Sequence, residues 1–198
     1  MTTPTWSATQ GTLERYERPG LQGKWKAVGE KIPVVVGRAG MALTMSEKIE
    51  GDGNTPAGHF SLEKVYGYDE NPGTKLPYQK STENLECVDD SKSKFYNQIV
   101  DKSDVTMDWK SSEKMLRKDK LYKYVVTVSH NPKNQAGKGS CIFLHVWRGK
   151  SSPTAGCTAM KEEDLRELIL WLDPEKDPRF VVFPEQRIGE LKAEWGID

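Results

Sequence analysis

Residues 139–160, GSCIFLHVWRGKSSPTAGCTAM, decide the reading of this chain. The first half alternates β-branched and aromatic residues as a strand does, and it carries His145. A polar loop with Gly149 and Pro153 follows and ends on Gly156-Cys157, just ahead of an amphipathic helical pattern. A strand histidine and a turn cysteine are the two parts a thiol nucleophile requires: a proton acceptor and an attacking atom. Each also has a plainer reading, Cys157 as a small buried thiol or half of a disulfide, His145 as a satisfied core residue. The setting shifts the balance toward chemistry without closing the plainer readings. Gly156 lets the backbone turn tightly, and a helix starting after Cys157 is expected to aim N–H groups and its positive dipole end at the sulfur. Alternate strand residues share a face, so Cys141, Phe143, His145 and Trp147 are expected together, and the loop 148–156 must bring Cys157 back to them.

Working outward, LYKYVVTVS (121–129) reads as a strong strand, and NPKNQAGKG as the connection of a hairpin whose return strand holds His145. That register puts His130 at the turn end, several residue pairs from His145, where it and His59 are read as structural or surface. Beyond Cys157, KEEDLRELILWL has Leu165, Leu168, Ile169 and Leu172 at helical spacing, with acids in its first turn and Asp173-Pro174 as its stop. RFVVFPE reads as a last strand and the tail from Gln186 as a short helix. Towards the N-terminus, GTLERYER, WKAVGEK and IPVVVGR read as three short strands with Gly20, Gly23, Gly29 and Gly37 at their turns. Gly51-Asp52-Gly53-Asn54-Thr55-Pro56 is a dense turn cluster before the strand-like HFSLEKVYGY. Residues 67–120 show little periodicity, which marks a lid, binding loop or insertion. Within them SSEKMLRKDK reads as one short helix capped by Ser111 or Ser112. The sum is a mainly β chain with one firm helix.

At 198 residues a single domain spanning 1–198 is the simplest reading. Lys plus Arg total 29 and Asp plus Glu total 29, so charge gives no push toward nucleic acid or an anionic membrane. No stretch approaches the ~20 apolar residues of a transmembrane helix. The start MTTPTWSATQ has neither a charged nor an apolar leader region, so no signal peptide is read, and the chain is cytosolic or its leader has been removed. Three cysteines fit one disulfide plus one free thiol, or three free thiols. Cys141, His145 and Cys157 could in principle ligate zinc, but Cys-x-x-x-His on a strand is not a standard knuckle and no fourth ligand stands out, so no metal is expected. Papain's signature is absent, as are the phosphate-binding and dinucleotide fingerprints, and no cofactor is expected.

Two motifs together resemble the L,D-transpeptidase (YkuD) catalytic-domain family over about residues 31–185. Gly51-Asp52-Gly53-Asn54-Thr55-Pro56-Ala57-Gly58 is similar to the family's G-x-x-x-TP-x-G segment. Ile142-Phe143-Leu144-His145, followed by Thr154-Ala155-Gly156-Cys157, is similar to its His … [Ser/Thr]-x-Gly-Cys site. The resemblance implies a β-sandwich-like fold with a few short helices, and the segment 67–120 as its lid or insertion. It implies Cys157 as the nucleophile and His145 as the general base, oriented by the Val146 carbonyl. The Gly156 and Cys157 amides are the implied oxyanion donors. Thr154, Ala155, Arg148 and Trp147 are the implied substrate contacts. The substrate would be a peptidoglycan tetrapeptide stem, cleaved through a thioester that a second stem's amine resolves as a 3→3 cross-link, or that another D-amino acid resolves by exchange.

The family's alternatives are an L,D-carboxypeptidase, an amidase, or a wall-binding module without activity. Many members place Arg or Asn two residues after the cysteine and a second His before the glycine, where this chain has Ala159 and Ala155; Arg148 and Lys150 are candidates for the missing charge. Peptidoglycan lies outside the cytoplasmic membrane, so the resemblance implies a periplasmic or envelope protein; no membrane span is expected, and the oligomeric state is left open with a monomer as the simplest expectation. An oxidising compartment would permit a Cys87–Cys141 disulfide that spares Cys157.

Overall fold

The computed structural model describes residues 1–20, 22–42, 47–187 and 189. The strands in chain order are β1 (Thr2–Thr3), β2 (Gln10–Glu17), β3 (Lys26–Val35), β4 (Met41–Ala42), β5 (Thr55–Pro56), β6 (Gly58–Gly67) and β7 (Tyr78–Lys80). They continue as β8 (Leu85–Val88), β9 (Ile99–Asp101), β10 (Ser112–Lys114), β11 (Tyr124–Val128), β12 (Phe143–Val146), β13 (Thr158–Met160) and β14 (Arg179–Pro184). One α-helix, α1 (Glu162–Trp171), lies between β13 and β14. The fold is mainly β, as the sequence leads one to expect.

Nine strands join in the order β11-β12-β13-β3-β2-β1-β14-β6-β7, and β6 also pairs with β11. That extra pairing closes a circuit of strands around the main core. The core takes Val34 and Val36 from the apolar run at β3, Phe60, Leu62 and Val65 from β6, and Leu144 from β12. Helix α1 adds Leu165, Leu168 and Ile169 from one face, with Leu172 at its C-cap. Each such side chain, fully withdrawn from water, stabilises the fold by roughly 1.5–3 kcal/mol. No side chain caps the N-terminus of α1, but Glu162, Glu163 and Asp164 offset its positive end. No described helix is long and apolar enough to cross a membrane.

Three expectations change. WKAVGEK and IPVVVGR are one strand, β3, rather than two. Gly29 sits inside it at φ +67°, where β3 carries extra residues against β2 between Leu13 and Arg15, a β-bulge. A Cβ there would lie 2.0 Å from Arg15 Nη2, so the glycine makes room for a buried arginine instead of making a turn. Second, SSEKMLRKDK is not a helix. Its residues 112–114 are β10, with Glu113 opposite Cys87 of β8, and Met115 is fully buried beyond them. Pairing with β8 and burial of Met115 override the helical propensity of the segment.

Third, residues 67–120 are mostly loop, as expected, but within them β10, β8 and β9 form a sheet of their own. Buried Glu86 is its polar knot, accepting from Ser112 Oγ at 2.6 Å, Lys102 Nζ at 2.9 Å and Trp109 Nε1 at 3.3 Å. Burial works to raise the Glu86 carboxyl, and these three donors outweigh it and hold it below its ordinary value. The Cys87–Cys141 disulfide ties the small sheet to the β11–β12 hairpin. Of the tail helix expected from Gln186, residues 185–187 form a 3-10 turn, and most of the remainder lies outside the described residues.

Candidate active site

The β11–β12 hairpin forms in the expected register, Val125 opposite His145 and Thr127 opposite Phe143. His145 therefore sits in the middle layer of the closed sheet, with β13 on its other side and Ala159 as its parallel partner. Its ring is buried, 7 % exposed, and Nδ1 lies 2.8 Å from the Val146 carbonyl. A carbonyl can only accept, so Nδ1 carries the hydrogen and Nε2 keeps its lone pair. Burial lowers the imidazole pKa from 6.5 to about 4, against the opposing pull of the Val146 carbonyl. At neutral pH His145 is an uncharged base in a fixed tautomer.

Cys157 is the free thiol, since Cys87 and Cys141 are bonded to one another. The disulfide also removes Cys141 from any zinc set with His145 and Cys157. The Cys157 thiol donates to the Cys141 carbonyl at 3.4 Å and accepts from the Phe143 amide at 3.4 Å. Burial first, then the nearby Glu113 carboxyl, push its pKa well above the ordinary value, so the resting pair is thiol and neutral imidazole. The expected helix dipole is not at the sulfur. Thr158–Met160 form β13 between Cys157 and α1, so the helix begins only at Glu162. Cys141 departs from the strand at φ +54°, yet it shares an apolar cluster with Phe143, Tyr122 and Cys157.

The turn holding Cys157 is built by the cluster 51–56. Thr55 Oγ1 accepts from the Gly37 amide at 2.8 Å and donates to the Gly156 carbonyl at 2.8 Å. Thr154 Oγ1 donates to the Cys157 carbonyl at 2.6 Å and accepts from the Gly156 amide at 3.1 Å. Gly156 has φ +155°, and a Cβ there would sit 3.0 Å from the Asn54 carbonyl oxygen, so the turn has no space for a side chain. Of the two expected oxyanion donors, the Gly156 amide is thus already engaged, which leaves the Cys157 amide.

Cys157 and His145 open into one groove of about 1200 Å³. One wall comes from the closed sheet and its loop, with Arg148, Ser152, Thr154, Ala155 and Ala159. The other comes from the small sheet and the segment after it, with Glu113, Arg117, Asp119 and Tyr122. Arg117 grips Asp119 through Nε at 2.9 Å and Nη2 at 2.6 Å, and its guanidinium lies 5.0 Å above the Tyr122 ring. The Tyr122 ring in turn meets His145 edge-on at 5.3 Å and Phe143 at 5.7 Å. Arg148 is exposed and 3.6 Å from Asp119.

Trp147 is not among the lining residues; its amide is bonded to Met160 across the sheet. His59 pairs with Val181, and His130 lies beyond the far end of the hairpin beside Gly139, so neither lines the groove. Sequence reading missed Glu113 and Tyr122 as groove residues, because the first sat in an expected helix and the second in a strand of apolar type.

A family model described as the L,D-transpeptidase catalytic domain (YkuD) matches residues 7–182, so the match begins ahead of β2 and ends within β14. No curated protein and no solved structure matches the chain.

Proposed function

This chain belongs to the YkuD family of L,D-transpeptidase catalytic domains, and we propose that it is a cysteine acyltransferase of peptidoglycan tetrapeptide stems, acting in the periplasm or cell envelope. The observation that carries the reading is that the free thiol of Cys157 and the tautomer-fixed imidazole of His145 share one groove. The stem enters with the carbonyl before its terminal D-residue at Cys157. As sulfur leaves the Cys141 carbonyl and bonds to that carbon, its proton passes to His145 Nε2. The oxyanion that develops is met by the Cys157 amide. Collapse breaks the C–N bond, the departing D-amino acid takes the proton from His145, and a thioester remains. An amine of a second stem, or of a free D-amino acid, then attacks the thioester carbon. Sulfur leaves and is reprotonated through His145.

His145 suits this role because burial keeps it uncharged and the Val146 carbonyl keeps Nε2 unprotonated. Ala159 and Ala155 present only methyl groups where many members of the family place Arg or Asn and a second His. Arg148, on the same wall, is the candidate cation for a stem carboxylate. The test is incubation of the purified protein with disaccharide-tetrapeptide, with products read by mass spectrometry beside Cys157→Ala. Cross-linked dimers are expected from the unaltered protein alone. Tripeptide without dimers would make the enzyme a carboxypeptidase, and unchanged substrate in both samples would overturn the enzymatic reading.

A further inference from the structure

The groove-lining carboxyl of Glu113 lies close enough to Cys157 to count among the causes of its raised pKa. Oε2 of Glu113 accepts the hydroxyl of Tyr122, whose ring packs edge-on against His145. Oε1 has no protein partner among the described residues, and it is not among the buried polar atoms sealed without one, so it remains open to an incoming group. No described cation forms an ion pair with Glu113: Arg117 acts on it only from a distance, its guanidinium held by Asp119 in two hydrogen bonds, and Lys102 holds Glu86 at 2.9 Å. A largely buried carboxyl without a counter-cation is costly unless a cation or donor arrives to pair with it. Burial accordingly raises the Glu113 carboxyl above its ordinary value.

We propose that Glu113 selects a primary amine over water as the acyl acceptor, its open Oε1 taking an N–H of that amine beside the Cys157 thioester. The inference rests on the acyl-transfer reading above. An ammonium enters and pairs with the carboxylate. It gives one proton to Glu113, which makes the nitrogen nucleophilic, and Glu113 later releases that proton to water. The nitrogen then bonds to the acyl carbon and the C–S bond breaks. A second proton passes from nitrogen through His145 to the sulfur, so the products are an amide, the free thiol and one released proton. Water carries no positive charge and gains much less from the same carboxylate.

The experiment measures the fate of one thioester. Disaccharide-tetrapeptide is supplied with D-methionine, and mass spectrometry gives the ratio of exchanged to hydrolysed product. The rate of Cys157 acylation by a carbapenem is followed separately by protein mass. Glu113→Gln keeps an acceptor for the Tyr122 hydroxyl but removes the charge. In it the exchange-to-hydrolysis ratio is expected to fall by about tenfold or more, the worth of a hydrogen bond to a charged group, and to fall well beyond any loss in carbapenem acylation. Tyr122→Phe keeps the carboxylate and is expected to move the ratio far less. An unchanged ratio in Glu113→Gln, or equal losses of ratio and acylation, overturns the inference while the acyl-enzyme still forms. Equal shifts of the ratio in Glu113→Gln and Tyr122→Phe overturn it as well. If no acyl group reaches Cys157 of the unaltered protein from either donor, the acyl-transfer reading itself falls and this inference with it.

Discussion

The two walls of the groove are held by different forces. The wall bearing His145 belongs to the closed sheet, where β12 is flanked by β11 and β13 and Leu144 faces the main core. The wall bearing Glu113 belongs to a sheet of short strands with a smaller apolar cluster around Leu85 and Met115, tied further by a buried carboxylate knot at Glu86 and by one covalent bond, Cys87–Cys141. Apolar burial is non-directional and spread over many residues, so the first wall is insensitive to any one polar contact. The second, with its smaller apolar cluster, leans more on a few specific bonds, each removable by one substitution. Under the proposed reading, bond-making chemistry sits on the first wall and choice of partner on the second.

The largest test of this division is Cys157→Ala, expected to lower acyl transfer by about 10³-fold or more while the fold persists; loss of folding would show that the thiol is structural. Acid comes next and strikes the first wall. The imidazole of His145 titrates near 6.5 when unfolded and about 4 when folded, so between those values the unfolded chain binds more protons. The contribution of His145 is complete above pH 6.5 and is lost as pH falls toward 4. The loss is on the order of 3 kcal/mol and is read as the part of the fall in denaturation midpoint that His145→Gln removes, buried His130, also lowered to about 4, supplying another part. Activity retained well below pH 4 would remove His145 as the base.

Replacing both Cys87 and Cys141 by serine is expected to cost roughly 2–4 kcal/mol, seen in chemical denaturation. Protease cutting should concentrate in residues 81–115, and cutting spread evenly over both walls would erase the contrast between them. Thr55→Val removes the hydroxyl that joins Gly37 to Gly156 and is expected to cost about 1–3 kcal/mol and to slow acylation. Thr55→Ser should restore both. The smallest effect belongs to Arg148→Ala. Its pair with Asp119 spans 3.6 Å at the surface, so stability should shift by less than about 1 kcal/mol. Any role in holding a stem carboxylate would appear in KM with tetrapeptide, and an unchanged kcat/KM would dismiss it.

The first wall could be read from the chain because its forces leave a local trace. Leu165, Leu168, Ile169 and Leu172 keep helical spacing, and the alternation through 121–129 and 142–147 announces the hairpin. The motif residues Thr55, Gly156 and Cys157 could be picked out for the same reason, since each needs a particular residue type within a short turn. The second wall left no such trace. Glu86 finds its partners at Lys102, Trp109 and Ser112, remote in sequence and without a period, and the Cys87–Cys141 bond, which the structure bears out, could be reached only through the resemblance. β13 escaped for another reason: three residues are too few to alternate, so Thr158–Met160 read as the approach to the helix and the dipole was placed at the wrong atom.

The hydrogen bond from the Cys157 thiol to the Cys141 carbonyl has a consequence for the lifetime of the protein in oxidising surroundings. Peroxide attacks the thiolate form, and the first product, a sulfenic acid, goes on to forms that cannot be reversed. A sulfur kept protonated by burial and by that bond offers peroxide little to attack; under the proposed reading, that holds until a substrate draws the proton to His145. The molecule can thus keep Cys87 and Cys141 joined while the Cys157 thiol, anchored to the backbone of one of them, stays reduced.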